Sequence, residues 1–285
     1  MPIEPPVASP GSLADAYGAL AEAPARPIAG GTDLMVALTG ELGEPPDRVL
    51  DLWRLDELRG IALDGDAVTL GALTTYTEIR RSALCLEHLP ALVEAAATIG
   101  AAQIQNRGTL GGNIANASPA GDTLPVLLAL DASIVCGSSR GERTVPADAF
   151  WTGYRRTALA ADELLVRVRF PLAAGRESRF RKVGTRRAQS ISKVVLALSY
   201  REAGAATPWR DVRVALGSVA PTPIRARETE VALEGRPPTP ETADRAAEML
   251  ARELNPIDDV RSTAEYRRLV AARVLHRFIR EAGGW

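Results

Sequence analysis

The segment Ile104–Asp122, reading I-Q-N-R-G-T-L-G-G-N-I-A-N-A-S-P-A-G-D, constrains the chain more than any other. Gly108, Gly111 and Gly112 stand close together, followed by amide and small residues, a proline and an acid. Glycine admits positive φ and close backbone approach, while Asn113, Asn116 and Ser118 bring short polar groups. Such a composition predicts a poor helix and a poor central strand. It suits a wall against a flat, polar ligand. A structural turn is the other reading of a Gly-Gly-Asn run. Length weighs against it, since the unusual composition continues for nearly twenty residues between two apolar segments.

A second stretch is read with the first. Ala25–Ala29 is a short predicted strand, then come Gly30-Gly31-Thr32-Asp33 and a helical pattern through Leu34 and Leu38. Strand, double glycine and helix start present backbone N–H groups to an anion, although tight βα turns also carry glycine for steric reasons. If both stretches line one cleft, the first offers amides to a pyrophosphate and the second offers backbone and amide groups to a ring edge. Asp122 is then available to a hydroxyl or ring nitrogen. That inventory matches a dinucleotide such as FAD. No G-x-G-x-x-G follows the first strand and no G-x-x-x-x-G-K-[ST] is present, which disfavours an ordinary Rossmann or phosphate-loop reading.

The bulk properties narrow the field. The chain has 285 residues, enough for two or three lobes, and is 46% hydrophobic and 24% charged. Its formal net charge of −1 gives no electrostatic reason to expect nucleic acid. No apolar run approaches the ~20 residues of a membrane span, and the start, Met-Pro-Ile-Glu-Pro-Pro, lacks the pattern of a secretory signal. A cytoplasmic location is expected. Cys85 and Cys136 make neither a disulfide framework nor a metal set, and an iron–sulfur cluster needs about four cysteines. Both cysteines are expected in the core. His88 and His276 are far apart and are read as structural. Only two lysines, Lys182 and Lys193, occur against thirty-two arginines. Codon bias explains the ratio, and a retained lysine hints at a site needing a compact, titratable head.

Along the chain, Ser12 is an N-cap, Leu13, Tyr17 and Leu20 share a helical face, and Val49–Leu52 is a strand. Ile61–Gly71 is a hairpin around Asp64-Gly65-Asp66. Helices are predicted at Thr75–Arg81, Leu89–Ile99 and Leu124–Leu130. Ala132–Cys136 and Arg143–Val145 are expected to pair, and Leu164–Phe170 is an alternating strand. Ala173-Ala174-Gly175 marks a lobe boundary. Beyond it lie strands Arg179–Val183, Val194–Arg201 and Val212–Val219, then helices around Arg225–Leu233, Glu241–Leu254 and Thr263–Glu281. In the last, Tyr266, Leu269, Val270, Val274, Phe278 and Ile279 form an apolar stripe read as core. Arg176, Arg179, Arg181, Lys182, Arg186 and Arg187 cluster. A solvated face, a ligand phosphate or another subunit all remain open for them, and aromatic partners for nucleic acid are lacking.

A-G-G-T-D-L at 29–34 and the long motif at 104–122 closely resemble the FAD-binding medium subunit of molybdenum hydroxylases, the group of bacterial xanthine dehydrogenase and carbon monoxide dehydrogenase. The resemblance continues through G-Y-R at 153–155, D-E-L-L at 162–165, K-V-G-T-R-R at 182–187 and A-E-Y-R-R at 264–268. It implies an α+β fold: two α/β subdomains of the vanillyl-alcohol-oxidase-type (PCMH) FAD-binding fold, plus a C-terminal antiparallel sheet with helices. The expected divisions are 1–172, with subdomains of about 1–57 and 58–172, and a C-terminal domain 173–285 with a three-stranded sheet. By position, Ile28, Ala29, Gly30, Gly31, Thr32 and Asp33 match the stretch that holds the diphosphate. Ile99, Gly108, Thr109, Gly111, Gly112, Asn113 and Asn116 match positions along the flavin and its chain. Asp122 matches a flavin-side acid, Leu164 and Leu165 apolar contacts, and Lys182 a lysine near the cofactor. Lys193 matches a family position of less defined role. Arg107 departs from the family, standing where relatives often have an apolar residue.

In this family, substrate is hydroxylated at a molybdopterin cofactor on a large subunit, and electrons pass through [2Fe–2S] clusters on a small subunit to FAD. The resemblance therefore implies an electron-transfer subunit delivering to NAD+, oxygen or a quinone, in a complex expected to be a dimer of heterotrimers. Neither histidine nor cysteine lies in the two glycine motifs, so FAD is expected to be non-covalent. No residue is assigned a catalytic acid or base role and no metal is expected on this chain; Asp122 and Lys182 are read as tuning groups. A stand-alone flavin oxidase or reductase would need an acid or base over the flavin. An assembly subunit that had lost flavin is opposed by the intact glycine motifs.

Overall fold

The computed structural model describes residues 5–40, 44–186, 189–204 and 207–285. Local signals are honoured where the partner is near in sequence. The Ser12 hydroxyl accepts from the Asp15 amide at 3.1 Å and starts helix Leu13–Glu22. Thr75 and Glu78 form a reciprocal capping box at the start of helix Tyr76–Arg81. Gly65, at φ +60°, closes the hairpin of Ile61–Asp64 with Ala67–Gly71.

Three main sheets result. The first is parallel, in the order Val7–Ala8, Val49–Asp51, Arg26–Ile28. Ala16 and Leu20 of the first helix pack on Leu50 in a core shared with Leu73, Leu164 and Val166. The second sheet is antiparallel, in the order Ile61–Asp64, Ala67–Gly71, Leu164–Pro171, Ser133–Ser138, Gly141–Pro146. The alternating strand at its centre shifts register between Leu165 and Arg167. Leu164 and Val166 join the first core, while Leu165, Val168 and Phe170 join a second built with helices Pro90–Thr98 and Leu124–Ala129. Both cysteines lie buried in that second core.

The C-terminal sheet has four strands rather than the three expected: Arg176–Gly184, Ser192–Arg201, Arg210–Gly217 and Ile224–Arg225. The added strand pairs only through Ala215–Arg225 and Leu216–Ile224, too short to give a period-two signal. Helices Pro240–Glu253 and Ala264–Gly283 close the core over it, where Tyr200 and Trp209 stack 3.9 Å apart.

The stripe read on the last helix holds at Val270, Val274, Phe278 and Ile279, which are core or pack on it, and departs at its start. Tyr266 and Leu269 are 39% and 47% exposed, and the buried face is Arg267, Ala271, Leu275, Phe278 and Ile279. The cause is a satisfied interior charge. Arg267 pairs with Asp259 at 2.6 Å and donates to the Lys193 and Ser218 carbonyls, which turns the helix so that a guanidinium faces inward. Helix Ala83–His88 and the small hairpin Trp151–Gly153 with Arg156–Thr157 were not signalled by periodicity. Among the described residues no helix is long and apolar enough to cross a membrane.

Candidate functional site

The first glycine stretch leaves the edge strand Arg26–Ile28 and turns into helix Leu34–Thr39. Gly31 adopts φ +74°. A Cβ on Gly30 would stand 1.8 Å from the Arg107 carbonyl oxygen and 3.1 Å from the Gly108 nitrogen. Only a residue without a side chain lets the two motifs touch here, so the two stretches form adjoining walls. Among the described residues, none accepts a hydrogen bond from the amides of residues 29–33. Unpaired amides at a concave turn make a cradle for an anion.

The second stretch folds into two short helices, Ala102–Arg107 and Leu110–Asn116, instead of the non-helical wall its composition predicts. Context overrides propensity. Thr109 supplies the N-cap, its hydroxyl accepting from the Gly112 amide at 3.1 Å, and its backbone bridges to Thr75. The helix then seats deeply: a Cβ on Gly111 would meet the Ala72 carbonyl oxygen at 2.7 Å, and one on Gly108 the Tyr76 ring at 2.8 Å. At the far end Ala117 caps in the left-handed region, and the buried Trp151 indole donates to the Ile114 carbonyl at 3.1 Å.

Between these walls lies a cleft of about 780 Å³, within the range usual for small-molecule sites. It gathers Ile28, Ala29, Gly30, Gly31, Thr32 and Asp33 with Thr109, Gly111, Gly112, Asn113, Asn116, Leu164 and Leu165. Leu164 and Leu165 are set there by Glu163, which accepts twice from Arg143 (2.6 and 2.7 Å) and once from the Ala160 amide (2.8 Å). Asn113 accepts from the Thr123 hydroxyl at 2.6 Å and Asn116 from Arg155 at 3.1 Å. Ile99, Gly108, Asp122 and Lys182 are not among the lining residues. Gly108 acts through its backbone contact with Gly30, and Ile99 packs against the second core.

Tyr76 and Arg155 line the cleft without having been singled out for it. Nothing in the Tyr76 spacing could have signalled its place. Arg155 falls in the G-Y-R run and is traceable only in retrospect. Tyr76 is buried, donates to the Thr109 carbonyl at 3.4 Å, and has its phenol pushed far up, first by burial and then by Asp33 and Asp122. Asp33 is exposed as a residue, yet the cleft wall strips enough water from its carboxyl to raise its pKa, a trend opposed by Arg155.

Asp122 and Lys182 form a buried ion pair of 2.6 Å joining the second motif to the C-terminal sheet. Lys182 also donates to the Thr98 carbonyl at 3.2 Å. One Asp122 oxygen, Oδ1, has no partner, and burial raises the carboxyl above its usual range despite Lys182. The same turn is anchored by Ser192 donating to the Ala120 carbonyl and by the Ser218 amide donating to the Pro119 carbonyl. Arg107 stacks 3.7 Å from the Trp53 ring, whose second cation is the half-buried Arg59 at 4.6 Å, so the family departure there is a cation–π contact tying the two motifs' units together. In the basic cluster Arg176 pairs with Asp211 and Arg179 with Glu281, while Arg186 donates to the Gln189 carbonyl; Arg187 lies outside the described residues.

Sheet order, glycine contacts and cleft define a mixed α/β protein with a small-molecule cleft between two glycine-rich walls. Residues 3–173 match the family model described as FAD binding domain in molybdopterin dehydrogenase, and residues 179–282 match the CO dehydrogenase flavoprotein C-terminal domain. The carbon monoxide dehydrogenase medium chain of Hydrogenophaga pseudoflava is 32% identical, with 96% of this chain and 95% of that one covered. The xanthine dehydrogenase FAD-binding subunit of Escherichia coli O157:H7 is 34% identical over the same shares. The structure of quinoline 2-oxidoreductase from Pseudomonas putida 86 superposes with a TM-score of 0.92 at 29% identity, covering 99% of this chain and 98% of that one. The chain belongs to the FAD-binding medium subunits of the molybdenum hydroxylases, a family of oxidoreductases whose cofactor on this subunit is FAD.

Proposed function

We propose that the cleft between the two glycine stretches holds FAD non-covalently and that the chain passes electrons from [2Fe–2S] clusters of a small partner subunit to NAD+ or another acceptor. The observation that carries this reading is the contact of Gly30 with Arg107, which makes one cleft of two motifs far apart in sequence. The free amides of residues 29–33 take the diphosphate. Thr109, Gly111, Gly112, Asn113 and Asn116 run along the flavin and its chain, with Leu164 and Leu165 as apolar contacts. The cleft lining contains neither histidine nor cysteine, which supports non-covalent attachment. Ile99, Asp122 and Lys182 are not among the lining residues, and the pair acts on the flavin by its field rather than by contact. FAD, when bound, supplies a centre that accepts electrons singly and releases them singly or in pairs.

Carbon monoxide, xanthine and quinoline appear in the names of relatives with one shared fold. That spread of substrates on one fold supports a choice of substrate on a large molybdopterin subunit; the complex is proposed as a dimer of heterotrimers, with residues 1–172 and 173–285 as the two domains of this chain. The test is uptake of FAD by the purified chain. Flavin absorbance is expected, the flavin leaves with the supernatant on acid precipitation, and Gly111→Val with Gly112→Val abolishes retention while helical content persists. Retention unchanged in that double variant would misplace the cleft, and colour left in the acid pellet would refute non-covalent binding.

A further inference from the structure

Arg155 occupies a costly backbone position. It is the second residue of the two-residue loop between Trp151–Gly153 and Arg156–Thr157, paired through Gly153 and Arg156. Its φ of +51° lies in the left-handed region, where glycine or asparagine is the unstrained choice. A strained residue that persists is a pointer to function. This one is held in register from behind: Trp151 of the same hairpin bonds the Ile114 carbonyl, on the helix that carries Asn113 and Asn116.

From that loop the guanidinium reaches the cleft, where it donates to Asn116 at 3.1 Å and acts on Asp33 through its charge. Asn116 ends the helix Leu110–Asn116 of one glycine motif and Asp33 closes the double-glycine turn of the other. Arg155 thus lines the cleft in touch with both walls, bonded to one and acting by charge on the other. A dinucleotide diphosphate is a double anion, and Asp33 adds a third negative charge next to it. Among the described residues the lining's cations against this are Arg26 and Arg155. Of these, Arg155 alone is held by a hydrogen bond to a cleft residue.

We propose that Arg155 is a cofactor-binding residue that clamps the diphosphate of FAD, exchanging its bond to Asn116 for the phosphate oxygens and offsetting Asp33. The planar, permanently charged fork suits two phosphate oxygens better than an ammonium would. This rests on the reading of the cleft given above, and the experiment separates the two. Dissociation constants for FAD and for riboflavin, which has no phosphate, are measured by flavin fluorescence on the apo chain at several salt concentrations. Arg155→Gln loses on the order of 10- to 100-fold in FAD affinity, as expected for one charge-assisted clamp, with a shallower salt dependence and riboflavin affinity unchanged. Arg155→Lys recovers part of the loss. Arg155→Asn, which relieves the left-handed strain, weakens FAD equally while the apo chain melts no lower than wild type. Unchanged FAD affinity in Arg155→Gln, an equal loss for riboflavin, or a loss confined to Arg26→Gln would each overturn the assignment. Failure of the wild-type chain to take up FAD at all would remove the cleft reading itself.

Discussion

Removing the Lys182 ammonium tests how the buried pair at the end of the long motif is held. Lys182 and Asp122 side chains are only 9% and 8% exposed and lie 2.6 Å apart. Substitution by methionine keeps the stem and deletes the charge, leaving Asp122 as a buried acid whose Oδ1 already lacks a partner. Breaking a buried pair in this way costs about 3–5 kcal/mol. Asp122 is raised by burial and lowered chiefly by Lys182, so its folded pKa climbs further in the variant. A carboxyl with a raised folded pKa takes up a proton on folding. Its favourable contribution is complete below the unfolded value and is lost as pH rises through the folded one, by at most about 1.4 kcal/mol per pH unit. Lys182→Met should therefore be weakest at neutral and alkaline pH and approach wild type in mild acid. Because the pair bridges two units, the urea transition in which they separate is the one to follow. Its midpoint should fall by about 1 M or more at neutral pH. Asp122→Asn with Lys182→Met should recover most of the loss. A midpoint within error of wild type, or a double variant weaker than either single one, would refute the reasoning.

Two shorter tests address other contacts. Gly30→Ala puts a methyl on the Arg107 carbonyl, a backbone atom that cannot yield, so FAD retention should be lost; Gly18→Ala, where a Cβ meets nothing within 4 Å, should retain it, as measured by absorbance after gel filtration. The cysteines offer a check on the second core. Burial pushes the Cys136 thiol up to about 11 and raises Cys85 as well, so the native chain should give no colour with a thiol reagent at mildly alkaline pH, and two thiols after denaturation.

Much of this was legible because the partner lay nearby. The Asp64–Asp66 turn, the Ser12 cap and the pairing of Cys136 with Arg143 follow from residues a few positions apart. The glycine motifs were read correctly as adjoining walls, yet their local conformation was not. Thr109 and the buried seat at Ala72 impose a helix on Leu110–Asn116, and only the tertiary neighbour decides this. The start of the last helix departs from its stripe for the same reason, while Val270, Val274, Phe278 and Ile279 keep to the core. Arg267 is an interior residue because Asp259 and two carbonyls from distant segments receive it, and no hydropathy pattern carries that information. Arg155 escaped notice because an arginine in a tight turn looks like solvent-facing punctuation until its φ and its bond to Asn116 are known.

The long motif therefore has a second role beside forming a wall. Its beginning meets the parallel sheet, with the Arg107 carbonyl against Gly30 and the guanidinium on Trp53. Its middle is pinned to the antiparallel sheet, Gly111 against Ala72 and the Leu110 amide donating to the Thr74 carbonyl. Its end reaches the C-terminal sheet through Asp122, Ala120 and Pro119, bound by Lys182, Ser192 and Ser218. One segment touches all three units, and each contact needs a small residue, a backbone group or a paired charge. That explains why its composition is so unlike an ordinary helix: close approach on several sides leaves no room for larger side chains. It also predicts where strain from an occupied cleft is felt, since any shift of Thr109–Asn116 is carried along the same backbone to the Asp122–Lys182 pair.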